Sequence, residues 1–163
     1  MNFLETLVAE WYGHRGYLIQ TNIKFGKRAK GGYAGEIDVL ALNLNKRALA
    51  HVETSSDADS WDERRERIVR KFKNAEQHYM SGRGVTFDSI TRMAVVGVRP
   101  AKKSAITLDG IEVVSLDELM SRIKDYVRGF NPASLAIPES YGYLRAVQLA
   151  VWFGNSAGKG KPS

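Results

Sequence analysis

Apolar positions recur along the chain with two periods, and each period predicts a different element. Near the N-terminus, apolar side chains between residues 2 and 13 follow the i, i+3, i+4 spacing of a helix with one buried face. The next apolar segments are rich in β-branched residues and predict three strands: 17–24, 35–42 and 49–54. The polar residues Asn45, Lys46 and Arg47 predict a tight turn between the second and third strands.

The remaining segments predict the second half of an α/β domain. Residues 61–80 carry a helical apolar stripe, and residues 90–98 form a nearly continuous apolar run, which is typical of a strand covered on both faces. A short strand at 111–114 is followed by Ser115 to Glu118, which resembles a capping box for another helix. The α-β-β-β-α-β order favours a mixed sheet flanked by helices, with the third and fourth strands parallel because a long helix connects them.

The predicted domain organisation has three parts. Residues 1–130 form the core. Residues 131–153 follow as a linker at 131–138 and a helix at 139–153 that packs either on the core or on a partner. Packing on its own domain is the favoured reading for this apolar helix, although the sequence is also compatible with a homodimer. Residues 154–163 are small and basic, and they predict a disordered tail.

Composition limits the chemistry and the partners. The 163 residues include no cysteine, which excludes disulfides, cysteine-based zinc sites and thiol nucleophiles. The net charge of +6 favours a polyanionic partner such as nucleic acid. No segment reaches the ~20 apolar residues of a membrane span, and the N-terminus lacks the features of a secretory signal. We therefore expect a cytoplasmic protein without membrane contact.

Acidic residues inside the second and third predicted strands need an explanation. Asp38 and Glu53 stand where a sheet buries side chains, and carboxylates are rarely buried unless they are paired or bind a metal. Alternation predicts that Glu36 shares the face of Asp38, while Ile37 points to the other face together with Val39. With Glu5 from the first helix, three carboxylates would suit a hard cation such as Mg²⁺ or Mn²⁺. The alternative is a set of exposed acids on an edge strand.

In this order the residues resemble the PD-(D/E)xK nuclease superfamily, which has a restriction-endonuclease-like core. The resemblance covers residues 3–80, and the later strands and helix fit the rest of that core. Three motifs carry it: Glu5 with Ala9, Tyr12 and Gly16; Gly35-Glu36-Ile37-Asp38; and His51-Val52-Glu53-Thr54-Ser55. The resemblance implies that Asp38, Glu53 and the Thr54 carbonyl are metal ligands, with Glu5 as an outer or water-mediated one. It also implies metal-dependent hydrolysis of phosphodiester bonds.

One position departs from the family pattern. Ser55 stands where the family has a lysine, and a serine cannot supply a positive charge to a phosphate. Some members move this charge to the following helix, where Lys71 and Lys73 are the candidates. At ~100° per residue, Lys71 lies about 80° from the centre of the apolar stripe and Lys73 about 120°. We therefore expect Lys71 to replace the missing lysine, with Lys73 as the second choice.

A basic, glycine-rich segment between the first two strands is a candidate nucleic-acid-binding loop. Residues 25–35 are predicted to form this loop, with Phe25 and Tyr33 at its ends as candidates for stacking on bases. Its positive charges, and one just before it, would contact phosphates: Lys24, Lys27, Arg28 and Lys30. An ordinary solvent-exposed hairpin accounts for the same residues equally well.

Three functional hypotheses follow from the sequence. The first is a divalent-metal-dependent endonuclease that acts on DNA. The second is a catalytically silent nucleic-acid-binding or assembly module, which the serine at position 55 permits, and the third is an RNA-directed nuclease. The three histidines lack the spacing of a zinc site and are interpreted as structural or exposed: His14, His51 and His78.

Overall fold

The structure is a computed structural model that describes residues 2–55, 60–80, 86–97 and 106–154. Ten elements follow one another along the chain: α1 (Phe3–His14), β1 (Leu18–Lys27), β2 (Tyr33–Asn43), β3 (Ala48–Ser55), α2 (Trp61–Met80), β4 (Ser89–Val96), β5 (Ile106–Leu108), β6 (Ile111–Ser115), α3 (Leu116–Val127) and α4 (Gly142–Phe153).

The six strands form one mixed sheet in the order β1-β2-β3-β4-β6-β5. The pairs β1–β2, β2–β3 and β5–β6 are antiparallel, whereas β3–β4 and β4–β6 are parallel. The long helix α2 makes the crossover between β3 and β4, as a parallel connection requires. The prediction of an α/β fold with a mixed sheet flanked by helices, and with the third and fourth strands parallel, is confirmed.

Helices cover both faces of the sheet. On one face, α1, α3 and α4 share a core with alternate residues of the strands, among them Val39, Val52 and Val95. On the other face, Ile68 and Phe72 of α2 pack against β4 and β6, and Ala75 and Tyr79 pack against β2 and β3. Since Leu144 of α4 lies in the first of these clusters, the C-terminal helix packs on its own domain.

Several element boundaries differ from those predicted. The strand predicted at 90–98 begins at Ser89 and ends at Val96, and the last helix begins at Gly142 rather than at residue 139. The capping box at Ser115 is wrong, because the Ser115 side chain makes no capping hydrogen bond. The strand β5 was not predicted, and its turn to β6 is Asp109-Gly110, with positive φ at both residues.

The first hairpin is longer than predicted. β1 continues to Lys27 and β2 begins at Tyr33, so only residues 28–32 form the loop that was expected to span 25–35. Phe25 is buried and its ring contacts His78, with 4.5 Å between the centroids. A base-stacking role for Phe25 is therefore wrong, because its ring already belongs to the core beside α2.

Some predicted features fall outside the described residues. These are Val98, the last residue of the strand predicted at 90–98, and the predicted tail beyond Gly154. The segments 56–59 and 81–85 on either side of the predicted helix 61–80 also lie outside the described residues. Among the helices that are described, none is long and apolar enough to cross a membrane.

Candidate functional site

The site lies where β2 and β3 separate. Their ladder ends at the pair Val39 and Val52, and the next residues outward are Asp38 and Glu53. Both carboxylates are largely buried, with 8% of Asp38 and 4% of Glu53 exposed. The backbone N–H of Thr54 donates to Asp38 Oδ2 at 2.7 Å, which fixes the Asp38 side chain across the gap. The two acids that the sequence singled out therefore lie side by side at one end of the sheet.

Lys71 of α2 enters this gap from the helix side. Its Nζ lies 2.5 Å from Glu53 Oε2 and 3.7 Å from Asp38 Oδ1. Partial burial acts to lower the pKa of Lys71, but the Glu53 and Asp38 carboxylates outweigh burial and raise the pKa above its ordinary value. Lys71 is therefore a permanent cation between the two acids. Lys73, the second choice, lies on another side of α2, with its Nζ 4.0 Å from Asp109 Oδ2.

Asp38 is electrostatically strained even with this lysine nearby. Burial and then the Glu53 charge raise the pKa of Asp38 to about 6, against the opposing effects of the Thr54 N–H and Lys71. A smaller effect of the Glu5 charge also raises the pKa of Asp38. The site thus holds more negative charge than one lysine neutralises, which is the electrostatic condition that favours a further cation.

His51 supports Glu53 from inside the sheet. It is fully buried, and its Nε2 lies 2.7 Å from Glu53 Oε1. The imidazole ring packs on Phe72 at 4.3 Å and meets the edge of Tyr79 at 5.5 Å, so apolar rings fix its orientation. If Nε2 donates, Oε1 of Glu53 is occupied and Oε2 faces Lys71. Alternation along β3 puts residues 51 and 53 on one face, and this signal in the sequence was not used.

For the Mg²⁺ or Mn²⁺ site that the sequence predicts, we expect His51→Leu to weaken Mn²⁺ binding about 10-fold to 100-fold, because Glu53 loses the donor that orients it. His51→Gln should retain most of the affinity, since a glutamine amide can reach the position of Nε2. Isothermal titration of Mn²⁺ measures this, and thermal melting without metal checks that both variants are folded. Equal affinities in His51→Leu and the unaltered protein would exclude an orienting role.

A second cation, Arg67, stands one helical turn before Lys71 on α2. Its Nη2 donates to Ser55 Oγ at 3.3 Å. Arg67, Ser55 and Lys71 line a pocket of about 160 Å³ together with Glu53 and Thr54. The rest of its lining is apolar and comes from Ile68 and from residues 94–96 of β4. Ser55 is therefore bonded to a cation of the following helix, and the i, i+4 spacing of Arg67 and Lys71 was the available signal for this second charge.

The other two acids near the site, Glu5 and Glu36, are hydrogen-bonded to asparagine side chains or backbone. Glu5 forms the capping box of α1 with Asn2, whose backbone N–H donates to Oε2 at 3.0 Å. Asn22 of β1 donates to Glu36 Oε1 at 2.9 Å and, more weakly, to Glu5 Oε2 at 3.4 Å. Glu5 is thus part of the surroundings of Asp38 and is held by amide donors.

The prediction that Glu36 shares a face with Asp38 is wrong. Ile37 packs in the cluster beside α2 together with Leu40, whereas Val39 packs in the cluster beside α1. Strict alternation therefore fails next to Asp38. The partner strand is irregular at the same level, because Asn22 has a φ of +52° and no ladder pair. The distortion gives Asp38 its position facing Glu53 and turns Glu36 towards the α1 side.

The four basic residues assigned to nucleic acid are all exposed on the β1–β2 hairpin: Lys24, Lys27, Arg28 and Lys30. Two of them lie in β1 and two in the loop. Nζ of Lys24 lies 5.8 Å from the centre of the Tyr33 ring, which is itself 46% exposed. The hairpin therefore presents one aromatic surface and several positive charges to solvent.

The side chains of the site do not by themselves provide a full set of metal ligands. Within the described residues, no group of three or more histidine, aspartate or glutamate side chains is arranged to hold a metal ion. Asp38 and Glu53 provide two carboxylates, and in an extended strand the N–H and C=O of one residue point the same way. Because the Thr54 N–H faces Asp38, its carbonyl is directed to the same gap.

Comparison with known proteins adds little. No family model matches the chain, and no curated protein is similar to it. Among solved structures, the chain is similar to the crystal structure of a protein of unknown function, AF1548. The two share 14% sequence identity with a TM-score of 0.47, over 95% of this chain and 98% of that one.

Proposed function

We propose that the protein is a divalent-metal-dependent nuclease of the PD-(D/E)xK type that hydrolyses phosphodiester bonds in DNA. The single observation that carries the proposal is the contact of Lys71 with the buried carboxylates of Asp38 and Glu53 at the point where β2 and β3 separate. Two acids and a lysine from those positions are the residue types of the family's site, with the lysine supplied by α2 instead of β3.

The donor set fits a hard divalent cation. Asp38 and Glu53 offer one carboxylate oxygen each towards Lys71, and the Thr54 carbonyl is directed to the same gap. Oxygen donors of this kind suit Mg²⁺ or Mn²⁺. A cation there would also relieve the repulsion that, together with burial, raises the pKa of Asp38. When bound, the ion would polarise the scissile phosphate as a Lewis acid.

The residues around the acids have separate tasks. Lys71, which is 42% exposed at its side chain, can turn from the acids towards a phosphate oxygen and place a positive charge on it. Arg67 lies beside it and can contact a neighbouring phosphate. His51 and the Thr54 N–H hold Glu53 and Asp38 in place, so that the reacting group meets a fixed arrangement.

The hairpin would supply binding rather than chemistry. Its exposed Lys24, Lys27, Arg28 and Lys30 suit a phosphate backbone, and the exposed Tyr33 offers a stacking surface. None of these contacts distinguishes DNA from RNA. DNA is the proposed substrate because it is the one implied by the family resemblance.

The test is cleavage by the purified protein of plasmid, linear duplex, single-stranded DNA and RNA, with Mg²⁺, Mn²⁺ or EDTA. We expect metal-dependent cutting of DNA, abolished in Asp38→Ala and in Glu53→Ala because each variant loses an ionic ligand. Lys73→Ala, which removes one partner of the ion pair with Asp109, serves as the matched control and should cut normally.

The outcomes separate the competing functions. Cutting that persists in both carboxylate variants contradicts the site. Binding of DNA without cutting under any metal would favour the catalytically silent module, in which Lys71 remains the counter-ion of Glu53. Metal-dependent cutting of RNA alone would replace the proposed substrate while leaving the site intact.

A further inference from the structure

Helix α4 directs its two long polar side chains towards the domain, beside the buried Leu144, while several of its apolar side chains are exposed. Its inner face places Gln148 among backbone groups, with Nε2 donating to the Phe130 carbonyl at 2.8 Å and Oε1 accepting from the Ile137 N–H at 3.1 Å. Arg145, its one charged residue, donates to the Ile137 carbonyl at 2.6 Å. A surface helix normally has the opposite arrangement, with its polar residues facing water.

The outer face of α4 is apolar along its whole length. It consists of exposed residues without a charge among them: Tyr143, Ala146, Leu149, Ala150 and Phe153. Phe153 is 59% exposed and Tyr143 48%. A contiguous exposed face of large apolar side chains is unfavourable in water and marks an interaction surface.

The chain itself offers little to cover this face. The residues that follow α4, 155–163, contain no apolar side chain larger than those of alanine and proline. Apart from Met1, the other residues that the structure does not describe, at 56–59, 81–85 and 98–105, are mostly small or polar. The face is suited to a partner that presents a complementary apolar surface.

The order of residues on this face makes it complementary to itself. Tyr143, Ala146, Ala150 and Phe153 are spaced by three, four and three residues, which is the a/d spacing of a helix-pairing seam. Read in either direction, the stripe runs large, small, small, large. When two copies meet antiparallel, the two alanines face each other and let the backbones approach, while each Tyr143 meets the other copy's Phe153.

We propose that α4 is the interface of a symmetric homodimer, in which two copies pair antiparallel through the stripe of Tyr143, Ala146, Ala150 and Phe153. A twofold axis then crosses the helix near residue 148, and the same surface serves both copies. Since α4 packs on α1 and α3, the interface lies on the opposite side of the sheet from α2. The proposal does not depend on the nuclease assignment.

Sedimentation equilibrium of the full chain tests the dimer. We expect a species of twice the 18.2 kDa chain mass, and a monomer for Ala146→Glu, which places a charge in the centre of the seam. Leu44→Glu, at a leucine that is 62% exposed in the β2–β3 turn, is the control and should remain dimeric. Circular dichroism confirms that each variant is folded. A monomeric wild-type chain, or a dimer that survives Ala146→Glu, overturns the proposal.

Cysteine cross-linking tests the antiparallel pairing, and the absence of native cysteine gives a clean background. The double variant Ala146→Cys/Ala150→Cys should form intermolecular disulfides on mild oxidation, because each cysteine faces its counterpart in the other copy. Neither single variant should form a disulfide. Its cysteine and the equivalent cysteine of the other copy are offset by about 6 Å along the helix axis, which puts them beyond disulfide reach. Efficient cross-linking of the single variants would contradict the antiparallel arrangement.

Discussion

Asp38→Asn is expected to stabilise the metal-free protein at pH 7 while removing the proposed cleavage activity. In the folded chain, burial and the nearby Glu53 raise the pKa of Asp38 from 3.8 to about 6. An ionised Asp38 at pH 7 therefore costs about 3 kcal/mol of folding free energy, at about 1.4 kcal/mol for each pKa unit. Asparagine has no charge to bury, and its carbonyl oxygen can still accept the Thr54 N–H.

The direction of the pH dependence follows from the raised pKa. Between about pH 4 and pH 6, the folded state binds more protons at Asp38 than the unfolded state does, so its contribution to stability falls as the pH rises through this window. Below pH 4, Asp38 is protonated in both states. The advantage of the asparagine variant should therefore be largest at pH 7 and disappear near pH 4.

Urea denaturation in EDTA at pH 4 and pH 7 measures this effect. Asp88→Asn, which removes an exposed acid paired with Arg47, is the control and should change the free energy of unfolding little at either pH. Addition of Mg²⁺ should then stabilise the unaltered protein but not Asp38→Asn, because a ligand stabilises only the state that binds it. A variant less stable than the unaltered protein at pH 7 would show that Asp38 is not strained.

Much of the fold could be predicted from the chain because its signals are local and regular. The periods of apolar residues define α1, α2 and the strands, and the length of the α2 crossover dictates that β3 and β4 are parallel. The strand β5 was missed because its three residues are too few to show a period. Its signal was the Asp109-Gly110 pair, which is typical of a two-residue hairpin turn.

Some features of the candidate site could likewise be predicted from the sequence, and others could not. The short β2–β3 hairpin predicts that Asp38 and Glu53 lie close together. The angular positions of the two lysines on α2 predict that Lys71 is nearer to these acids than Lys73, and Lys71 indeed contacts Glu53 whereas Lys73 pairs with Asp109. The distortion beside Asp38 could not be predicted, since it depends on an asparagine in β1 that adopts a left-handed conformation. The alternation of side chains along β3 would have predicted the contact between His51 and Glu53. The aromatic rings around His51 could not be predicted in this way, because they belong to α2, which is distant in sequence.

The second large effect is expected from Lys71→Met, which keeps most of the side-chain stem and removes the charge. We expect cleavage to fall about 100-fold to 1000-fold, the usual consequence of losing one group that stabilises charge in the transition state. Mn²⁺ should meanwhile bind more tightly, because in the metal-free protein Lys71 occupies Oε2 of Glu53 and lies near Asp38. The same variant should unfold more readily without metal, since Glu53 loses a partner while it remains buried.

Three measurements on one variant make this prediction specific. Single-turnover cleavage at saturating Mn²⁺ isolates the chemical step, calorimetric titration reports the metal affinity, and urea denaturation in EDTA reports the stability. Lys73→Met is the matched control, because its ammonium group pairs with Asp109 away from the two acids. Slower cleavage with tighter metal binding identifies Lys71 as the relocated charge. Slower cleavage with weaker metal binding would instead mean that Lys71 only maintains the geometry of Glu53, and the charge acting on the phosphate would have to come from Arg67.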